Sequence, residues 1–229
     1  IEKEIQIVIC IDEFQQISDF EDSKTFQKKL RSVWQLQQHV SYCLFGSKKH
    51  LMNELFEKKN LPFYKFGDAI YLTKIETKYW IEYICKRFEN TGKHISPELA
   101  EEICRLVDNH SSYVQQLSWL LWIRTINTAT TEQLTYALED LLDQNNILFQ
   151  SETENLSAYQ MNFLKAIVDG IHTKFSSKEV ISKYNLGTSA NIVRLKNALL
   201  QKELIETNGK EIVLADPVFG VWFKKEMLY

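Results

Sequence analysis

Residues Gln6 to Phe14 read Gln-Ile-Val-Ile-Cys-Ile-Asp-Glu-Phe, a β-branched apolar run that stops abruptly at two adjacent carboxylates. A continuous apolar run of this length, with no polar alternation, predicts a strand buried on both faces of a parallel sheet. Ligands of such sheets bind beyond the carboxyl ends of the strands, which puts Asp12 and Glu13 where chemistry would be done. The chain also supplies the rest of a crossover unit. Thr25 to His39 carries Phe26, Leu30, Val33, Trp34 and Gln37 on one helical stripe. Val40 to Phe45 is a second apolar strand, ending at Gly46-Ser47. Strand, helix, strand implies a right-handed βαβ crossover between parallel strands. A helix is expected from Lys48 to Lys59, broken by Leu61-Pro62, and Ala69 to Leu72 reads as another extended piece.

Composition narrows the class. The 229 residues allow one to two domains. With only 7 Gly and 3 Pro, the chain disfavours a β-sandwich and favours long helices. A net charge of -3 leaves room for a local basic face. The 4 cysteines (Cys10, Cys43, Cys85 and Cys104) lie in apolar-periodic segments without metal-ligand spacing. They are expected to be buried free thiols in a reducing, cytoplasmic setting. No stretch reaches the roughly 18 continuous apolar residues of a membrane span, and no signal peptide pattern is visible. The sequence starts without Met inside a strand approach, and is read as a fragment.

From Glu76 the texture becomes helical. Thr77 to Glu89 is amphipathic through Trp80, Ile81, Ile84 and Phe88. Ser96-Pro97-Glu98 opens a helix to Asp108. Asn109 to Ser112 is a polar break, followed by a strongly apolar helix from Tyr113 to Asn127, whose Trp119 and Trp122 are expected in the core together with Trp222. Thr130 or Thr131 caps a helix to Gln144, and Asn145 to Leu156 reads as a linker. The last block has a helix from Ser157 to Asp169, a short helix from Ser176 to Tyr184, and a tight turn at Asn185-Leu186-Gly187. A helix from Thr188 to Lys202 follows, then two alternating runs flanking Asn208-Gly209, a strong hairpin signal. That order is a winged helix-turn-helix. Its groove-reading helix offers Asn191, Arg194, Lys196, Asn197 and Lys202 with no acid between Thr188 and Lys202, which suits phosphate contacts.

An apolar strand closed by Asp-Glu is also the pattern of a Walker B element. Together with Leu44-Phe45-Gly46-Ser47, the helical block and the closing Leu214-Ala215-Asp216-Pro217-Val218-Phe219-Gly220-Val221-Trp222, it resembles the archaeal-type ATPases of the AAA+/STAND group of P-loop NTPases. The resemblance covers nearly the whole chain but begins downstream of the P-loop, since no G-x-x-x-x-G-K-[ST] run occurs. It implies an α/β plus all-α fold: a partial parallel-sheet P-loop NTPase core (1–75), a helical lid (76–150) and a C-terminal winged helix (151–229). It also implies ATP and Mg²⁺ as cofactors. Asp12 would hold the metal and contact the nucleotide, Glu13 would polarise the attacking water, and Ser47 matches the sensor-1 position. His110 lies in the lid turn, where Asn109 and Ser111 stand in place of the family's Gly and Pro, and could contact nucleotide. Arg31, on the crossover helix, is a further candidate as a trans-acting arginine finger.

Two functions follow. One is a nucleotide-dependent molecular switch, whose Walker B half is present here and which neither binds nor hydrolyses ATP well without its phosphate loop. The other is a winged-helix DNA-binding transcriptional regulator with a non-catalytic ATPase-like scaffold. Expected partners are ATP through the missing P-loop half, and duplex DNA or a protein at the winged helix, with no membrane. A strand left with an open apolar edge also invites self-association.

Overall fold

The structure is a computed structural model that describes residues 5–228. The chain divides after Leu72 into two compact units.

In the first unit, β1 (Ile7–Ile11) and β2 (Val40–Leu44) pair in parallel, from Ile7 opposite Val40 to Ile11 opposite Leu44. A 3-10 turn (Phe14–Asp19) and α1 (Ser23–Trp34) connect them, and α2 (Lys49–Glu57) follows. The expected βαβ connection is therefore present. Phe14, Ile17, Trp34, Leu55 and Phe63 form its small core. Trp34 stacks on Tyr42 at 4.0 Å between ring centroids, and Phe14 meets Phe63 edge-on at 5.3 Å.

Four expectations for this unit are corrected. β1 is not covered on both faces: Ile7, Val8 and Ile9 are 49%, 64% and 38% exposed. Among the described residues its sheet has two strands, so only the face toward α1 is packed. Cys10 and Cys43 are exposed for the same reason, while Cys85 is half-buried and Cys104 buried. Residues 69–72 form no strand, and Ile70 and Leu72 face solvent. α1 ends at Trp34 rather than His39, and turns inward on Gln27 and Trp34 instead of Phe26 and Val33. The inward stripe is displaced by about one position from the one that hydrophobicity marks. The Gln27 amide meets that burial by donating to Ser23 Oγ at 2.9 Å.

The second unit begins with α3 (Thr77–Glu89), α4 (Pro97–Leu106), α5 (Ser111–Arg124) and α6 (Thr131–Glu154). It continues with α7 (Ala158–Val168), α8 (Lys178–Lys183), α9 (Ser189–Gln201), β3 (Ile205–Asn208), β4 (Glu211–Leu214) and α10 (Pro217–Leu228). The caps are legible: Ser96 accepts from the Leu99 amide with Pro97 in the first turn, and Thr130/Gln133 and Ser157/Gln160 form capping boxes.

The linker expected at 145–156 is instead the last third of α6. The helix persists because its inward stripe persists: Leu141, Leu142, Phe149 and Thr153 are buried. Phe149 packs against Phe219 and Trp222, and the Trp222 indole donates to Asn146 Oδ1 at 2.8 Å. One hydrophobic core runs from Trp80 to Phe223, so lid and winged helix share an interior.

The hairpin forms, but its two loop residues are Gly209 and Lys210. Gly209 has φ +61, which fits a type II′ turn led by glycine. His172 adds a third strand-like contact, accepting from the Ile212 amide at 2.9 Å. Helix α10 escaped the sequence reading although Asp216-Pro217 is a cap signal. Asp216 Oδ1 accepts from the amides of Val218 (2.7 Å) and Phe219 (3.0 Å). Trp222 is core as expected, and Trp122 is half-buried with its indole donating to Thr91 Oγ1. Trp119, by contrast, is 56% exposed on the outer side of α5. No helix among the described residues is long and apolar enough to cross a membrane.

Candidate functional site

The strand-end acids are held by backbone geometry. The Phe45 amide donates to Ile11 O at 3.1 Å and Phe45 O accepts from the Phe14 amide at 3.0 Å. Asp12 and Glu13 are thus looped out between two bonds to one residue of the neighbouring strand. Phe14, buried in the aromatic core, anchors the far side of this loop. Glu13 takes a left-handed backbone with φ 48, a conformation that costs a non-glycine residue about 1 kcal/mol or more.

Within the loop the two carboxylates differ. Asp12 is exposed, and its Oδ1 accepts from the Glu13 amide at 2.7 Å. Glu13 is clasped. Its Oε1 accepts from the Ser47 amide and its Oε2 from the Ser47 hydroxyl, each at 3.2 Å. The Gln15 side-chain amide also donates to Oε2. The Ser47 hydroxyl and then its amide hold the Glu13 carboxyl below the ordinary 4.5, so it is ionised at neutral pH. Parallel pairing thus brings together Asp12, Glu13 and Ser47, at the carboxyl ends of β1 and β2.

Gln15 was not legible as a participant. It is buried, and it lies where a side chain on Gly46 would have to go: a Cβ there would sit 1.9 Å from Gln15 Oε1. The glycine of Gly46-Ser47 therefore makes room for the side chain that completes the Glu13 clasp. Arg31 is not available as a finger. Its guanidinium donates to Pro62 O and Tyr64 O and lies 5.6 Å over the Phe66 ring, pinning the segment after α2.

His110 belongs to the second unit, at the N-cap of α5, with its ring 4.7 Å from that of Tyr113. Asp108 and Asn109 before it both take left-handed backbones, with φ 48 and 53. Asn is among the few residues that adopt this readily, which explains how Asn109 can fill a glycine position. The turn is tied to the start of α3 by Asn109 with Thr77 Oγ1 (3.1 Å) and by Lys74 with Asp108 (2.5 Å). His110 Nδ1 is shielded from solvent and has no partner among the described residues.

On the winged helix, Arg194 and Asn197 are exposed on α9 beside Val193, Lys202 is exposed just past the end of α9, and Lys196 is half-buried. Asn191 is committed elsewhere: its amide donates to Leu186 O at 3.0 Å and braces the turn before α9. Lys210 on the wing, and Lys224 and Lys225 on α10, are exposed. Among the described residues no group of three or more His, Cys, Asp or Glu is arranged to hold a metal by itself.

The family described as "Probable winged helix domain" matches residues 147–225. No curated protein matches the chain significantly. Among solved structures, the Walker-type ATPase of Pyrococcus abyssi is similar, with a TM-score of 0.71 and 17% identity over 96% of this chain. The chain spans 63% of that protein's length. The RuvB Holliday junction branch migration motor of Thermotoga maritima has a TM-score of 0.48 and 14% identity, over 97% of this chain and 70% of that one. The Orc1 protein of Aeropyrum pernix, in complex with DNA, has a TM-score of 0.46 and 11% identity, over 96% and 64%. The chain has the fold of a P-loop ATPase: a small parallel sheet, a helical block and a C-terminal winged helix.

Proposed function

We propose that the chain is the Walker B-bearing part of an ATP-dependent molecular switch. The observation that supports this best is the Glu13 clasp, an ionised carboxylate at a strand end, joined to the polar residue that closes the neighbouring strand. Asp12, exposed beside it, would hold Mg²⁺, and Ser47 would offer its hydroxyl to the nucleotide phosphate. Glu13 would orient the attacking water once Ser47 turns from the carboxylate to the phosphate. ATP and its metal supply the reacting phosphoryl group and its charge neutralisation. The chain's own residues position the water and the metal.

The sequence holds no Gly-rich loop with its Lys, so these residues do not by themselves supply that phosphate cradle. Mg·ATP titrated calorimetrically into the chain alone should bind weakly. In the longest natural polypeptide that contains the chain, binding should be tight and should lose its Mg²⁺ dependence in Asp12→Asn. Tight binding by the chain alone, or an unchanged Mg²⁺ dependence, contradicts the assignment.

The exposed Arg194, Asn197 and Lys202 support a second role, docking of the winged helix on duplex DNA. Binding to a short duplex should weaken steeply with salt, and Arg194→Ala should reduce the log–log salt slope by about 1. No binding to duplex at low salt contradicts this second role.

A further inference from the structure

Two thiols face each other on the bare side of the first sheet. Cys10 of β1 is the register partner of Cys43 of β2, and both are exposed and free. β2 alternates: Val40, Tyr42 and Leu44 are half-buried toward α1, whereas Ser41 and Cys43 are exposed. In-register residues of neighbouring strands project to the same face, so Cys10 shares the open face with Cys43.

We propose that Cys10 and Cys43 form a redox-active dithiol that closes to an intramolecular disulfide by exchange with a small-molecule disulfide. Adjacent strands lie about 4.8 Å apart, inside the roughly 4.4–6.8 Å between Cα atoms that a disulfide spans. The Cβ atoms must draw in to about 3.5–4.5 Å. In the first step the Cys10 thiolate attacks the disulfide, forming a mixed disulfide and expelling one small thiolate. The Cys43 thiolate then attacks the Cys10 sulfur and expels the second. Two protein thiols are oxidised, one small disulfide is reduced to two thiols, and the two protons pass to the departing thiolates. The other cysteines provide an internal contrast. Burial pushes the Cys104 thiol up to about 11 and also raises that of Cys85, which starves both of thiolate. The product would staple β1 to β2 just before Asp12 and Ser47, and so make the acid loop's support covalent.

The test incubates the chain with oxidised glutathione, counts thiols, and maps peptides by mass spectrometry without reduction. The expected result is loss of two of the 4 thiols, a Cys10–Cys43 linked peptide and no retained glutathione. In Cys10→Ser, a stable glutathione adduct should appear on Cys43 instead. Phenylarsine oxide, which bridges close dithiols, should protect both thiols in the unmodified chain and leave Cys43 unprotected in Cys10→Ser. Separate adducts on Cys10 and Cys43 in the unmodified chain, or links only between two copies, overturn the proposal.

Discussion

Replacing Asp216 by Ala tests how the winged helix is fastened to the helices before it. Asp216 Oδ1 caps α10 through two amides, and its Oδ2 accepts from the Tyr113 hydroxyl of α5 at 2.5 Å. Loss of an Asp cap costs about 0.5–2 kcal/mol. Leaving the Tyr113 hydroxyl, in a side chain 9% exposed, without its partner adds about 1–3 kcal/mol. A total of about 1.5–5 kcal/mol should lower the unfolding midpoint by roughly 3–20 °C, given about 2–4 °C per kcal/mol for a unit of this size. Differential scanning calorimetry on four proteins decides it: the unmodified chain, Asp216→Ala, Tyr113→Phe and the double variant. Tyr113→Phe alone should cost about 1 kcal/mol, and the double variant should cost less than the sum by a similar amount. Asp216→Asn keeps one oxygen, which can still cap α10, but puts a donor where Oδ2 accepted from the Tyr113 hydroxyl, and should lose an amount between the unmodified chain and Asp216→Ala. Strict additivity, or a shift below about 1 °C for Asp216→Ala, refutes the argument that this carboxylate joins α5 to α10.

Glu152 gives a pH test. Burial, and then the charge of Asp216, raises its carboxyl above 4.5. The folded state therefore holds this proton more tightly than the unfolded state, and stability falls as pH rises from 4.5 through the raised value. Glu152→Gln should flatten that decline in pH-dependent denaturation and stabilise the chain at neutral pH. Gly46→Ala should push the buried Gln15 side chain aside, because its Cβ meets Gln15 Oε1 at 1.9 Å, and should cost about 1 kcal/mol through the lost Gln15–Glu13 bond. By NMR titration it should also move the Glu13 carboxyl back toward 4.5 as the Gln15 bond is lost. Asn191→Ala, which removes the brace on Leu186 O, should cost about 1 kcal/mol in denaturation. It should leave the salt slope of any DNA binding unchanged.

The elements were legible where local rules agree with packing. The helix cap at Ser96, the cap at Thr130 or Thr131, the helix starting at Ser157, the hairpin at Asn208-Gly209 and the two parallel strands all announced themselves. What failed depended on partners distant in sequence. Asn145 and Asn146 read as a linker because their polarity is local, whereas their helix is held by Phe219 and Trp222, more than seventy residues later. Apolar β1 read as doubly buried because hydrophobicity reports what a strand can bury, not what lies over it. Trp119 was misplaced by the same assumption on a helix that is apolar nearly all round. At the acid loop, residue types pointed to Asp12, Glu13 and Ser47, and strand register brought them together. Gln15 had no signal, because its role comes from the space that Gly46 leaves empty. Arg31 was a reasonable candidate by charge alone, and only the carbonyls of Pro62 and Tyr64 reveal its structural use.

The most direct test of the ATP-switch assignment is the turnover of ATP by the longest natural form of the protein, with and without Glu13→Gln, under saturating Mg·ATP. If the carboxylate clasped by Ser47 is the group that orients water, the variant should still bind nucleotide while hydrolysis falls by about 100-fold or more, the range for a general-base role. Undiminished hydrolysis in Glu13→Gln would show that the strand-end carboxylate is a solvated turn and that the assignment is wrong.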